Sequence, residues 1–218
     1  MRDRKTSRGR VAFSRQGGEV LKSDAGLLGL SILRANATEL DQLADLARLA
    51  DGDTLSFIAR GINPMADIAA VYRDMLAELE GIYSYRNCLV AELDGNVIGM
   101  ANAFTARLIE NELAGARVTA REKHLFARTE LNDPQSYLLN SIAIMPAYQR
   151  CGIGTRLVEA VAALALEQKF SSVTLHVWAD NTKAIAFYQK LGFKMDGHAA
   201  IPWHPELAHF GGSLLFRL

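Results

Sequence analysis

The stretch "PAYQRCGIGTRL", Pro146 to Leu157, sets two glycines one residue apart where a polar segment gives way to an apolar, periodic one. A glycine inside a helix costs about 1 kcal/mol against alanine, so a pair at a helix entrance asks what needs bare backbone there. Upstream, "YLLNSIAIM" (137–145) reads as a strand. Downstream, Ile153, Leu157, Val161 and Leu164 repeat at helical spacing. A strand, a Gly-X-Gly turn and a helix make an anion site, because the first helical N–H groups have no carbonyl partner and the helix dipole is positive there. The same glycines also suit a sharp turn and close helix packing, and alone they do not separate the two readings.

Two nucleotide sites fit the spacing poorly. A dinucleotide fingerprint needs Gly-X-Gly-X-X-Gly directly after the strand, whereas Leu157 holds the sixth position and "PAYQR" intervenes. The acid expected about 20 residues on is replaced by Ser171 and Ser172. A P-loop needs Gly-Lys-Ser/Thr, and the chain has Gly154-Thr155-Arg156.

Working outward, "SSVTLHVWA" reads as the next strand and "NTKAIAFYQKLG" as a helix, with "FKMDG" and "GSLLFRL" as closing strands. Toward the N-terminus, "NCLVAEL" and "NVIGMANAF" flank Asp94-Gly95, a tight-turn dipeptide that joins antiparallel strands. Earlier still, Leu27 to Arg34 reads as a first strand. Asn36 and Glu39 then have capping-box spacing ahead of Leu40, Leu43, Ala47 and Ala50. Asn63-Pro64 predicts a second helix whose core stripe is Met65, Ile68, Tyr72, Met75 and Leu79, ending before Gly81. Residues 107–135 read as an insertion with helix around "GARVTAREKHLFAR". Two strands followed by βαβα suit a mixed sheet with helices on both faces.

The 218 residues suffice for one substantial core, and half of them are hydrophobic with 22% charged, which excludes a disordered chain. No apolar run approaches the length of a membrane span, and the first twenty residues lack a signal-peptide core. Cys88 and Cys151 have neither disulfide-framework nor zinc spacing, so no metal is expected and a cytoplasmic setting is the simple reading. Net charge is zero but uneven. Residues 1–28 hold seven Lys or Arg against three acids, leaving 17 basic and 21 acidic residues beyond. The expected organisation is a basic tail over 1–26 and one domain over 27–218. Such a tail can tether nucleic acid, but the mildly acidic body argues against a nucleic-acid binder, and a solvated terminus is the simpler reading.

"IAIMPAYQRCGIGTRLV" resembles the CoA-binding motif of the GNAT superfamily of acyl-CoA-dependent N-acyltransferases, with Gln149, Gly152 and Gly154 filling Gln/Arg-X-X-Gly-X-Gly/Ala. "NTKAIAFYQKLGF" is similar to the second signature, through Asn181, Tyr188 and Gly192-Phe193. The two stand in order, separated by one helix and one strand. The resemblance covers roughly residues 85–195 and implies a GNAT-like α/β fold, a mixed, mostly antiparallel central sheet flanked by helices on both faces. It also implies transfer of an acetyl group from acetyl-CoA to a primary amine by direct attack in a ternary complex. A catalytically silent CoA-binding sensor of the same fold is the alternative.

By this resemblance pyrophosphate sits on the helix-entry amides of Arg150, Cys151, Gly152, Ile153, Gly154 and Thr155. Pantetheine pairs with the backbone of Ile142, Ala143 and Ile144, and Asn181 contacts CoA as well as capping its helix. Tyr188 donates the proton that the leaving thiolate needs, although its place on the stripe Ile185, Tyr188, Leu191 also suits core packing. His176 lies where ribosomal-protein alanine acetyltransferases of the family carry a glutamate base, and an imidazole can take an amine's proton. Packing is the competing reading there too. His198, His204 and His209 show no metal spacing, and with Trp203 they suit a loop lining the acceptor groove. The implied partner is a small-molecule or peptide amine, without membrane. Dimers are frequent in the family, which leaves a homodimer open.

Overall fold

The computed structural model describes residues 28–50, 53–113 and 119–218, so the tail and the start of the expected first strand lie outside it. A seven-stranded sheet forms the centre: β1 (Ser31–Arg34), β2 (Cys88–Leu93), β3 (Asn96–Thr105), β4 (Tyr137–Ile144), β5 (Val173–Trp178), β6 (Lys194–Ala199) and β7 (Ser213–Arg217). Their order is β1-β2-β3-β4-β5-β7-β6, and every neighbouring pair is antiparallel except β4 with β5. The mixed, mostly antiparallel sheet expected of the sequence is therefore present.

Local chemistry accounts for the elements. Asp94 and Gly95 take φ of 49° and 80°, the doubly left-handed turn that closes β2 onto β3. Asn36 and Glu39 complete their capping box before α1 (Leu40–Ala50). The second expected helix needs correction. Asn63 accepts from the Met65 N–H within a turn, and the helix starts later, at α3 (Ile68–Ala77), capped by Asp67 through the Ala69 and Ala70 N–H groups. Met65 is 88% exposed and Leu79 56%, so neither belongs to a core stripe, whereas Met75 packs as expected. An additional helix, α2 (Thr54–Ile62), precedes it and buries Phe57. The 107–135 segment supplies α4 (Arg107–Leu113), α5 (Ala120–His124) and α6 (Phe126–Glu130), with residues 114–118 outside the description.

Two cores lie on opposite faces of the sheet. One packs Leu157, Val158, Val161 and Ala165 of α7 (Ile153–Glu167) and Tyr188 of α8 (Thr182–Lys190) on Tyr137, Leu139, Leu175 and Val177. The other packs α1 and α3 on Leu33, Val90, Met100 and Ala143. Each strand alternates between these faces, so neighbouring residues of β4 and β5 serve different sides of the molecule. Among the described residues no helix is long and apolar enough to cross a membrane.

Candidate active site

A cleft opens between β4 and β5. The two strands pair only at Tyr137↔Val173 and Leu138↔Thr174. There the buried hydroxyls of Ser136 and Thr174 meet at 2.6 Å, and the Tyr137 N–H donates to the Ser172 carbonyl at 3.0 Å. Immediately beyond, β4 carries a bulge. Asn102 faces Ser141 and Ala103 faces Leu139, leaving Asn140 as the extra residue, tied by its side-chain amide to Asn102 Oδ1 at 3.0 Å. A bulge bends its strand and ends regular pairing. From Leu139 to Ile144 the β4 edge that faces β5 therefore has no strand partner. Of the expected pantetheine-pairing residues, Ile142 and Ile144 turn their backbone groups to this open edge, whereas Ala143 between them bonds Met100 of β3.

The glycine turn closes one end of the cleft. After β4 the chain runs through a 3-10 turn, Pro146–Tyr148, and Gln149 folds back to donate its amide to the Ile144 carbonyl at 3.1 Å. Arg150 and Gly152 both have left-handed backbone, φ 62° and 81°, and Gly152 caps α7. The first α-helical bond at this end runs from the Arg156 N–H to the Gly152 carbonyl at 3.2 Å. The N–H groups of Ile153, Gly154 and Thr155 are thus left without intrahelical partners. The two glycines have different reasons. At Gly152 nothing lies within 4 Å of where a Cβ would be, so its requirement is conformational. At Gly154 a Cβ would stand 3.3 Å from Phe187 Cζ of α8, so its requirement is close approach of the two helices. Cys151 is partly exposed and donates its thiol to the Gln149 carbonyl at 3.5 Å.

That approach brings α8 against the turn. Asn181 caps α8 by accepting the Ala184 N–H at 3.1 Å. Tyr188 is buried, its ring against Phe187 and Phe193, and burial pushes its phenol up to about 12. It therefore stays protonated at neutral pH, as a proton donor must. The structure thus brings Cys151, Ile153 and Tyr188 into one cluster on the α7 side of the sheet, with Asn181 capping the helix that carries Tyr188.

His176 lies on the other side. Its neighbours Leu175 and Val177 pack into the α7 core, whereas Trp178 packs with Phe57, Leu125 and Leu207. His176 shares the Trp178 face by strand alternation. Its Nδ1 is sealed from solvent without a hydrogen-bond partner, and burial, with the charge of Arg128, lowers its pKa to about 3. Arg128, on α6, lies 5.0 Å from the Trp178 ring and donates to Ser213 Oγ at 3.0 Å. His209 stacks on Trp178 with ring centres 4.8 Å apart and pairs with Asp180 at 2.9 Å. His204 instead packs edge-on against Phe57, His198 bonds the Gly211 carbonyl, and Trp203 is 75% exposed. Of the expected histidine loop, His209 packs against β5, where Trp178 is a buried indole. Arg128, Trp178 and Asp180 are not singled out by the sequence reading. Asp180 borders Asn181 and was open to view, whereas nothing local marks Arg128.

The profile of the Acetyltransferase (GNAT) family matches residues 61–193, more than half of the chain. The chain belongs to the GNAT acetyltransferase family. An N-alpha-acetyltransferase 50 from Danio rerio is 33% identical over 86 residues, 39% of this chain and 48% of that relative. The chain thus matches about half of that relative's length. An N-alpha-acetyltransferase from Sulfurisphaera tokodaii is 27% identical over 168 residues, 75% of this chain and 79% of the relative. A solved Bacillus subtilis acetyltransferase in complex with CoA superposes with a TM-score of 0.53 at 17% identity, covering 87% of this chain and 97% of that one. Within this GNAT acetyltransferase the family match spans both the glycine turn and the Asn181 to Tyr188 helix.

Proposed function

We propose that the protein moves an acetyl group from acetyl-CoA to a primary amine by direct attack in a ternary complex. The observation that carries this reading is the open β4 edge at Ile142 to Ile144 leading to the free amides of α7, in a GNAT chain. When bound, acetyl-CoA supplies an activated thioester. The amides of Arg150 to Thr155 hold its pyrophosphate, the β4 edge lines up its arm, and Asn181 touches it from α8. An N–H near Ile144 faces the thioester carbonyl and stabilises negative charge there.

Tyr188, protonated and on the cofactor side, gives the proton to the departing sulfur. His176, half-buried and neutral at physiological pH, accepts a hydrogen bond from the acceptor nitrogen on the opposite face, while the proton that nitrogen sheds passes to solvent and solvent restores the Tyr188 phenol. The names of the two relatives, both N-alpha-acetyltransferases, support an α-amine as the acceptor group. Two free cysteines fit the cytoplasmic setting. Purified protein is expected to release free thiol from acetyl-CoA with members of a panel of amino acids, peptides and small amines. Failure to consume acetyl-CoA with any of them, together with no CoA binding in calorimetry, would overturn the reading.

A further inference from the structure

We propose that Arg128 binds a carboxylate carried by the amine acceptor, so that the acceptor is an amine of the amino-acid type rather than a polycation. This rests on the acetyl-transfer reading above and narrows its acceptor. The argument begins with a missing partner. Arg73, Arg121 and Arg217 each pair with a carboxylate, namely Asp41, Glu206, and Asp133 with Asp196. Among the described residues no carboxylate pairs with Arg128. Its contacts are the neutral hydroxyl of Ser213 and the face of Trp178, and Tyr83 alone among ionisable groups acts to favour its charge.

A half-buried cation without an anion is costly unless something compensates it. Burial lowers the Arg128 pKa only to about 10, so it remains charged at neutral pH. Arg128 packs on the Trp178 ring and bonds Ser213, the β7 residue opposite Trp178, so the guanidinium lies on the β5 face that His176 shares, and its charge helps to lower the His176 pKa. Both groups lie on the face away from α7, so Arg128 is not among the groups that hold the CoA phosphates. A cation there repels ammonium groups and disfavours polyamines. A guanidinium forms its strongest neutral-pH contacts with a carboxylate, often through two parallel hydrogen bonds.

The second unfilled group completes the match. The half-buried imidazole of His176, whose Nδ1 has no hydrogen-bond partner, lies on the same β5 face as that guanidinium. An amino acid presents a carboxylate and an amine on adjacent atoms, one suited to each. Binding of the carboxylate also offsets the Arg128 field on His176 and makes the imidazole a better proton acceptor when the substrate is in place. The mild acidity of residues 29–218 would favour a cationic amine, but the charge nearest the cleft has the opposite sign, and nearby charges outweigh distant screened ones.

The test compares amino acids with the amines left by removing their α-carboxylates, in a thiol-release assay with acetyl-CoA. Wild-type protein is expected to favour the amino acid in each active pair by about tenfold or more in kcat/KM, mainly through KM. Arg128→Gln is expected to bring that ratio near one, and Arg128→Lys to restore part of it. Circular dichroism checks that the variants fold, and the wild-type ratio stands without them. Equal or better turnover of the decarboxylated amines overturns the proposal, as does an unchanged ratio in folded Arg128→Gln. An equal fall in kcat on both members of a pair would assign the guanidinium to the reacting oxygen, also against the proposal. No acetylation of any amine would instead defeat the acetyl-transfer reading, and this inference with it.

Discussion

The two rims of the β4–β5 cleft are built from different materials. The rim at α7 is backbone: free N–H groups, a left-handed glycine and an open strand edge. The rim at β5 and α6 is side chain: the buried Trp178 with the half-buried His176, Arg128 and Asp180–His209 pair, drawn from distant segments. Backbone recognition suits a cosubstrate whose phosphates and amides are constant, because it demands only the right turn. Side-chain recognition suits an acceptor that varies, because exchanging a residue changes the charge presented without disturbing the fold. The difference assigns constancy to one rim and specificity to the other.

The largest expected effect probes the contact between the rims. If Tyr188 is the acid of the backbone rim, Tyr188→Phe lowers kcat by roughly 10²- to 10⁴-fold, the range of general-acid contributions. The KM for acetyl-CoA should move little. Steady-state kinetics measure both. A kcat within about threefold of wild type would reduce Tyr188 to packing against Phe187 and Phe193.

The glycines sharpen the same contrast by separating shape from strain. Gly154→Val forces its side chain into Phe187, and overpacking of this kind costs about 1–3 kcal/mol. Gly152→Ala meets no atom but keeps φ at 81°, at a cost of about 1–2 kcal/mol. Urea unfolding should rank the valine variant as the less stable. CoA calorimetry should show weakened binding in the valine variant, whose clash with Phe187 moves the α7 amides, and less change in the alanine variant, which keeps the turn. Full CoA affinity in the valine variant would break the assignment of that rim.

The backbone rim was legible because its signals are local. Asp94-Gly95, the Asn36–Glu39 box, the glycine pair and the Asn181 cap each work within four residues, and each appears where its spacing places it. Asn63-Pro64 misled because Asp67 competes as a cap and wins by taking two N–H groups. No local signal marks helix α2 although Phe57 is its buried anchor, since its partners Trp178 and Leu207 come from far along the chain. The same remoteness hid Arg128. Its significance comes from a β5 histidine 48 residues away and from the absence of a carboxylate, and no window of sequence holds either fact.

The side-chain rim makes a smaller prediction of its own, read in stability rather than rate. Folded His176 titrates near 3 and an unfolded histidine near 6.5, so between these values the unfolded chain binds a proton that the folded chain does not. Stability attributable to this group is full above pH 6.5 and falls as pH drops, by up to about 1.4 kcal/mol per pH unit. Arg128 enlarges the shift but burial leads it, so Arg128→Gln should leave the slope between pH 7 and 5 nearly unchanged. His176→Phe cannot bind the proton in either state and should lose the His176 share of the slope. Urea midpoints for the two variants and wild type between pH 7 and 5 measure this difference. An equal slope in wild type and His176→Phe would mean that the imidazole takes up its proton in the fold, and the acceptor-side rim would then carry two positive charges instead of one.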